Sequence, residues 1–463
     1  MAWFSQARGN NQRVCFLLDM SSRTMSWVSF RNRMEGKLIS PLARNTLWAL
    51  GGYGLRLLIQ AAYFVIIARC LGPEQYGGFI AATALANVIS PFVGLGSGNL
   101  LVKNVARDRR LFPEYWGNGL MMTVVSGSVL TFFVMALCRL LLPRAIPSLA
   151  ITLVCISDLI FVRILDLAAW AFLGFERLSV NAKLNVLISL TRLIGIAGLA
   201  LAFPHPTVRA WSVVYLAGSV AAALIAVIWV MWSLGRPKLA LHRIPREGTE
   251  GFYFSTSLSA MTIYNDIDKT MVARLATLGA AGIYAAAYRL IDVVFTPVRA
   301  LLSATYPGFF RSGAAGLQGS LQYGRRMLVR TLPYSLFAFG AVWISAPLVP
   351  HILGHDYADI TAALRWLAIL PVLKTLHLFI GDSLTGAGHQ RERTFLQVGV
   401  AIFNVLLNLW VIPAYGWRGA AWSSIASDGL LALSLSFLVT RMGRGFNLEI
   451  ARVADVPAAS CEF

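Results

Sequence analysis

Charge is scarce in this chain. Only 13% of its 463 residues are Asp, Glu, Lys or Arg, about half the share of a soluble globular protein. Acidic residues are the scarcest, 21 against 40 basic ones. With 57% hydrophobic residues and a mean hydropathy of +0.65, an ordinary soluble enzyme is excluded. Long polar stretches are missing after the first 43 residues, which leaves no room for a large extramembrane domain. Cysteine is rare and dispersed. Cys15, Cys70, Cys138, Cys155 and Cys461 lie too far apart to read as a disulfide framework or a metal set. No Gly-x-x-x-x-Gly-Lys-Ser/Thr occurs, so the chain has no P-loop of its own, and no Ser-His-Asp constellation stands out.

What is present is a succession of apolar runs of span length. From Asn45 onward, segments of about 20–27 residues alternate with short polar loops. The expected spans are 45–68, 76–101, 116–141, 148–173, 180–203, 210–234, 251–276, 282–309, 327–349, 359–383, 394–413 and 417–440. The fold class expected is an all-α polytopic membrane protein, with about twelve transmembrane helices in two six-helix halves around a central cavity. Residues 1–43 differ: they are polar and Arg-rich, without a span-length run. They read as a basic, disordered arm, dispensable at least as far as Met34, where a second start is plausible. The division expected is 44–240 for the first half, 241–445 for the second, and 446–463 for a cytoplasmic tail.

The net charge of +19 could point to nucleic acid, but basic residues scattered between apolar runs indicate membrane topology. The arm, even-numbered connections and tail hold 26 Lys and Arg, including Lys103, Arg107, Arg236, Lys238, Arg325 and Arg441; odd-numbered connections hold five. By the positive-inside rule both termini face the cytoplasm.

A weak internal repeat runs at an offset of 205 residues. Ala68-Arg69, Gly77, Phe79 and Ala81-Ala82 align with Ala273-Arg274, Gly282, Tyr284 and Ala286-Ala287. A repeat separated by six spans inserts in one orientation, which places the halves about an axis along the membrane normal with a path between them.

Sixteen charges fall inside the expected spans, and each would cost about 2.5–3.5 kcal/mol at a helix centre facing lipid. The bland reading pairs them: Asp266 with Lys269, Arg289 with Asp292 and Arg163 with Asp166 each sit three apart on one helix face. Arg56, Arg192, Arg299 and Lys374 have no acid three or four residues away in their own span, and snorkelling to an interface is their bland reading. The functional reading is a water-filled cavity whose candidate site residues are Arg56, Arg163, Arg192, Asp266, Asp268, Lys269, Arg289 and Asp292. Asn87, Asn99, Gln60, Tyr63, Asn265, Tyr288 and Trp170 could serve sugars, although interhelical packing is the commoner use of such side chains. His351, His355 and Asp356 have metal-like spacing but sit beside Pro350 in a loop, and no metal or cofactor is expected. The segment Gly94-Leu95-Gly96-Ser97-Gly98 follows no strand and reads as a bent helix.

Several short motifs carry a family resemblance. They are Ile67-Ala68-Arg69-Cys70-Leu71-Gly72-Pro73-Glu74-Gln75-Tyr76-Gly77, Asn265-Asp266-Ile267-Asp268-Lys269, Gly282-Ile283-Tyr284-Ala285-Ala286-Ala287-Tyr288-Arg289, and Tyr306-Pro307-Gly308-Phe309-Phe310-Arg311. In order and spacing the chain resembles the Wzx-like polysaccharide flippases of the multidrug/oligosaccharidyl-lipid/polysaccharide exporter superfamily. The resemblance implies a transporter, not an enzyme, that moves an undecaprenyl-pyrophosphate-linked oligosaccharide across the inner membrane. Membrane lipids are the expected surroundings, a polysaccharide polymerase and chain-length machinery are candidate partners, and from the scatter of basic residues no nucleic acid is expected. A cation-coupled drug exporter of the same fold is the first alternative. A membrane polymerase or glycosyltransferase is the second, disfavoured by the shortness of every outer connection. From the charge bias, reporter fusions after Arg236 and after Arg441 are expected to read as cytoplasmic; a periplasmic signal at either overturns the topology.

Overall fold

The computed structural model describes the backbone over 41–454 except 205, 241–254, 256–261, 263–265 and 315, and side chains over 57–442 with those exceptions and 139 and 178. Most of the expected arm, the side chains of the tail and that of Arg56 lie outside the described residues. Two compact units divide at Gly51/Gly52, and all packing reported below lies within the second.

Among the described residues all regular structure is helical, without a strand. They form α1 (Pro41–Ile89), α2 (Ser97–Val105), α3 (Phe112–Leu141), α4 (Ser148–Ile156), α5 (Val162–Gly174), α6 (Leu178–Ala202) and α7 (Val208–Ser233). A helical segment over 266–275 follows. Then come α8 (Leu278–Gly313), α9 (Leu317–Ser345), α10 (Ile360–Leu367), α11 (Leu370–Gly386), α12 (Gln390–Tyr415) and α13 (Trp417–Ala454). Ten stretches among the described residues are long and apolar enough to cross a membrane. The first, Leu57–Val105, has 49 residues, which as one straight helix would be roughly 74 Å long, more than twice a bilayer core. Gly72 breaks it, with φ 66 and ψ 171, a conformation that a side chain resists, and Pro73 starts the next limb. Counting both limbs and the 266–275 segment, the architecture is consistent with twelve spans.

Two expected features take a more particular form. The run after α1 is a tight helical stretch, Ser90–Gly96, with positive φ at Gly94, Leu95 and Gly96. The expected span 148–173 is interrupted by a π-helical turn, Ser157–Phe161, between α4 and α5.

Helices α2–α7 pack on one another, as do α8–α13. The second set meets α1 where α1 crosses α8. A Cβ added to Gly77 would collide with the Leu278 carbonyl oxygen and lie 2.7 Å from the Gly282 nitrogen. A Cβ added to Gly282 would collide with the Pro73 carbonyl oxygen. Pro73 and Leu278, like Gly77 and Gly282, are 205 residues apart. The contact therefore repeats itself under exchange of the two helices, as an isologous dimer interface does. Beside it, the Tyr357 hydroxyl donates to the Ala68 carbonyl (3.2 Å), Arg69 to the His351 carbonyl (3.1 Å) and Thr270 to the Ala81 carbonyl (3.3 Å).

The hydrophobic core follows the same division. At the crossing one core is shared, with Ile67, Phe79, Trp211, Tyr284, Tyr357 and Leu364 among its buried members. Toward the other end it parts. Leu101, Phe112, Trp116 and Phe172 belong to a core of α2–α7 alone, while Phe295, Phe309 and Phe379 form one of α8 and α11, and Val400 and Leu431 another of α11–α13.

Because the added methyl would meet backbone and not a movable side chain, Gly77→Ala and Gly282→Ala are expected to destabilise the detergent-solubilised protein by about 1–3 kcal/mol each. Gly198→Ala and Gly340→Ala, which meet nothing within 4 Å, are the controls. Thermal unfolding followed by tryptophan fluorescence checks this. Equal midpoints in all four variants would remove the crossing as a constraint.

Candidate functional site

Where the shared core gives way to the separate ones lies a cavity of about 350 Å³, within the range of small-molecule sites. Its apolar wall draws on both regions: Tyr76, Phe79 and Ala285 from the shared core, Leu165 and Ile188 from the core of α2–α7. Of the site residues expected from sequence, Arg163, Arg192, Asp266, Lys269, Arg289 and Asp292 line it. Asp268 does not: it is buried behind the cavity, where the Tyr284 hydroxyl donates to it and the Ser424 hydroxyl lies 2.9 Å from the same tyrosine oxygen. Among the sugar candidates, Asn87 and Tyr63 line the cavity, Trp170 packs over Gly98, and Asn265 is outside the described residues.

The charges are arranged mostly as pairs. Lys269 Nζ lies 2.7 Å from Asp266 and 3.9 Å from Asp268, and Arg163 is 3.0 Å from Asp166, as one-helix-face spacing predicts. Arg289 and Asp292 do not pair. Asp292 is held by Arg299 at 2.7 Å, seven residues along α8, and so is no longer available to its nearer neighbour. Arg289, exposed, instead reaches the Gln60 side-chain oxygen at 3.5 Å. It has no carboxylate within 4.0 Å among the described residues.

Asp158 and Arg192 form an interhelical pair that spacing along the chain could not show. Asp158 sits in the π-helical turn, which offsets the register of α5 against α4; such turns are frequent at functional sites. It accepts from the Tyr215 hydroxyl at 2.8 Å and faces Arg192 at 3.6 Å. Arg192 donates to the Tyr215 oxygen at 2.7 Å and stacks 4.7 Å over its ring. The Asp158 side chain is only 8% exposed, so the carboxylate depends on these partners.

Lys374 does not snorkel. It is buried on α11, donates to the Tyr288 hydroxyl at 2.8 Å and sits 4.6 Å from that ring, as does Lys269. Nearby on the same helix His377 faces Asp428 of α13 at 3.5 Å. At the far end of α11 Arg393 of α12 clasps Asp382 at 2.9 Å. Sequence reasoning missed Asp158, Asp166, Asn185, Tyr76 and Tyr215 as cavity residues. For the two aspartates the signal was present, a carboxylate inside an apolar span; Tyr76 and Tyr215 are indistinguishable in sequence from core aromatics.

Comparison with known proteins places this geometry. A family model described as "Polysaccharide biosynthesis protein" matches residues 42–312, more than half of the chain. A protein of Escherichia coli (strain K12) named as a candidate O-antigen transporter is 22% identical over 419 residues, covering 86% of this chain and 96% of that one. Among solved structures, the lipid II flippase MurJ in an inward closed conformation matches with a TM-score of 0.70 at 13% identity, over 85% of this chain and 87% of that one. An inward-facing multidrug resistance transporter of the MATE family, in the MOP superfamily, matches with a TM-score of 0.69 at 15% identity, over 89% and 100%. The fold is that of MOP-superfamily transporters.

Removing one member of a buried pair strands the other, at about 3 kcal/mol, whereas a half-exposed pair contributes less than about 1 kcal/mol. Asp158→Ala is therefore expected to lower stability in detergent well below that of Asp166→Ala, whose side chain is 36% exposed. Denaturation of the two purified variants decides it, and a larger loss for Asp166→Ala would contradict the assignment.

Proposed function

The chain belongs to the polysaccharide biosynthesis protein family, and from that premise we propose that it is a flippase for undecaprenyl-pyrophosphate-linked oligosaccharide. It carries this lipid from the cytoplasmic to the outer leaflet of a bacterial inner membrane by alternating access, performing no chemistry on it. The observation that carries the reading is Arg289, a guanidinium without a carboxylate partner among the described residues, on a cavity between the two helix sets. A diphosphate cannot cross hydrocarbon unpaired, and arginine stays charged in any dielectric and binds phosphate oxygens bidentately. Hydroxyls and amides of Tyr63, Asn87 and Asn185 on the same cavity suit the glycan. Arg56 enters the proposal on sequence grounds, as does the division into halves at 240/241. The carboxylates on the wall would suit a cation exporter, but Asp158, Asp166, Asp266 and Asp292 each already face a basic side chain.

By the charge bias, the ends of α2, α7 and α8 that carry Arg107, Arg236 and Arg311 face the cytoplasm, as do both termini. The parted cores then lie on the cytoplasmic side and the Gly77/Gly282 crossing on the outer side, an arrangement that admits substrate from within. Polymerase and chain-length proteins would take the product.

Loss of one charge-assisted contact costs on the order of 1.5–3 kcal/mol, roughly tenfold to 150-fold in affinity. In a deletion strain, Arg289→Ala is expected to lose most surface polysaccharide, and Arg289→Lys to keep part of it. Membrane abundance is checked by immunoblot. Full export by Arg289→Ala at normal abundance would sink the assignment.

A further inference from the structure

The crossing does more than join the helices: it fixes which faces of α1 and α8 meet the cavity. From Gly77, steps of three, seven and ten residues reach Ile80, Ala84 and Asn87; from Gly282 the same steps reach Ala285, Arg289 and Asp292. All six line the cavity. The repeat thus supplies equivalent positions on two opposed helices, yet the chemistry at them is unlike. Ala84 stands where Arg289 does, and Asn87 where Asp292 does.

The rest of the wall is unequal in the same sense. Around α1, α5 and α6, the cavity presents Asn87, Asn185 and the Arg163–Asp166 pair, whose side chains are 30% and 36% exposed. That group carries no net charge but offers donors and acceptors together. Arg163 Nε is itself buried and has no hydrogen-bond partner among the described residues. A carboxylate that accepts beside a guanidinium and amides that donate matches the paired hydroxyls of a sugar ring. Around α8, by contrast, Arg289, which has no carboxylate partner among the described residues, stands beside the Gln60 oxygen. A dianionic headgroup gains more there than a neutral sugar does.

From this asymmetry we infer that the cavity is divided: Arg289 holds the diphosphate, and Arg163, Asp166, Asn185 and Asn87 read the glycan and set which oligosaccharide is accepted. The inference rests on the flippase reading and extends it to specificity.

The test uses the purified full chain in proteoliposomes, with two lipid substrates that share the polyprenyl diphosphate. One carries the oligosaccharide of the lipid-linked intermediate extracted from membranes of the deletion strain and the other a single N-acetylhexosamine; inorganic pyrophosphate binding is measured separately by calorimetry. Arg289→Gln is expected to weaken pyrophosphate binding by about tenfold or more and to slow both lipids alike. Asp166→Asn combined with Asn185→Ala is expected to hold pyrophosphate affinity within about twofold. Its preference for the native oligosaccharide over the single sugar should fall by roughly two- to tenfold per lost hydrogen bond. Arg163→Gln, which keeps an amide donor, should lower the preference less than the double variant.

Three outcomes overturn the division. They are equal slowing of both lipids by the wall variant, a changed glycan preference with retained pyrophosphate binding in Arg289→Gln, and no preference between the glycans in the unmodified protein. An unmodified protein that moves neither lipid overturns the flippase reading itself, and the division with it.

Discussion

Everything in this molecule hangs on two backbones coming close enough to touch. Apolar side chains gain nothing by leaving lipid for one another, so helices in a bilayer associate through close packing and small residues. At the α1–α8 crossing Gly77 admits Leu278 and Gly282 admits Pro73, and no larger residue fits at either glycine. Ile67, Phe79 and Tyr284 fill the shared core around that contact, and away from it the core parts into separate ones. The cavity lies at that parting. A crossing nearer mid-length, or one held apart by side chains, would have left either a closed bundle or two unconnected ones.

A cavity of this kind allows charges to persist at membrane depth, and their pairing decides how. Asp158 is held by Tyr215 and Arg192, Asp266 by Lys269, and Asp292 by Arg299, so the helix carrying each acid inserts with its compensation nearby or on an adjacent helix. Such pairs contribute little net stability, because desolvation offsets most of the attraction. What they achieve is a polar lining that stays close to neutral. Against that background Arg289, without a carboxylate partner among the described residues, is a strong local feature, while in a uniformly cationic bowl it would be one charge among many.

How much of this was legible in the sequence depends on the range of each interaction. Spans were legible because hydropathy is a sum over about 20 neighbours, and the predicted 76–101, 116–141 and 210–234 fall on the limbs after Gly72, on α3 and on α7. Pairs three residues apart on one helix were legible for Asp266–Lys269 and Arg163–Asp166. The same rule failed for Arg289–Asp292 because Arg299, two turns further on, competes for the carboxylate. Contacts between helices were illegible: nothing local says that Lys374 will meet Tyr288, or Arg192 Tyr215. The π turn at Ser157–Phe161 was hidden for a related reason, since one extra residue in a helix leaves apolar composition unchanged.

The repeat links these observations. Positions 205 residues apart were visible as Gly77 with Gly282, but a match between two glycines says nothing about whether they meet. The structure shows that they do, and the consequence runs along both helices. Residues three, seven and ten positions beyond a buried contact fall within about 80° of it around the helix axis, the seventh within about 20°. The face that makes the crossing is therefore also the face that lines the cavity, on α1 and on α8 alike. Backbone positions are thus tied by the repeat, while side chains at them are free to differ. Ala84 against Arg289 and Asn87 against Asp292 use that freedom: a symmetric frame sets where groups stand, and an asymmetric sequence sets what they bind. A substrate with a charged end and a neutral polar end calls for that combination, since identical walls would hold both ends in the same way.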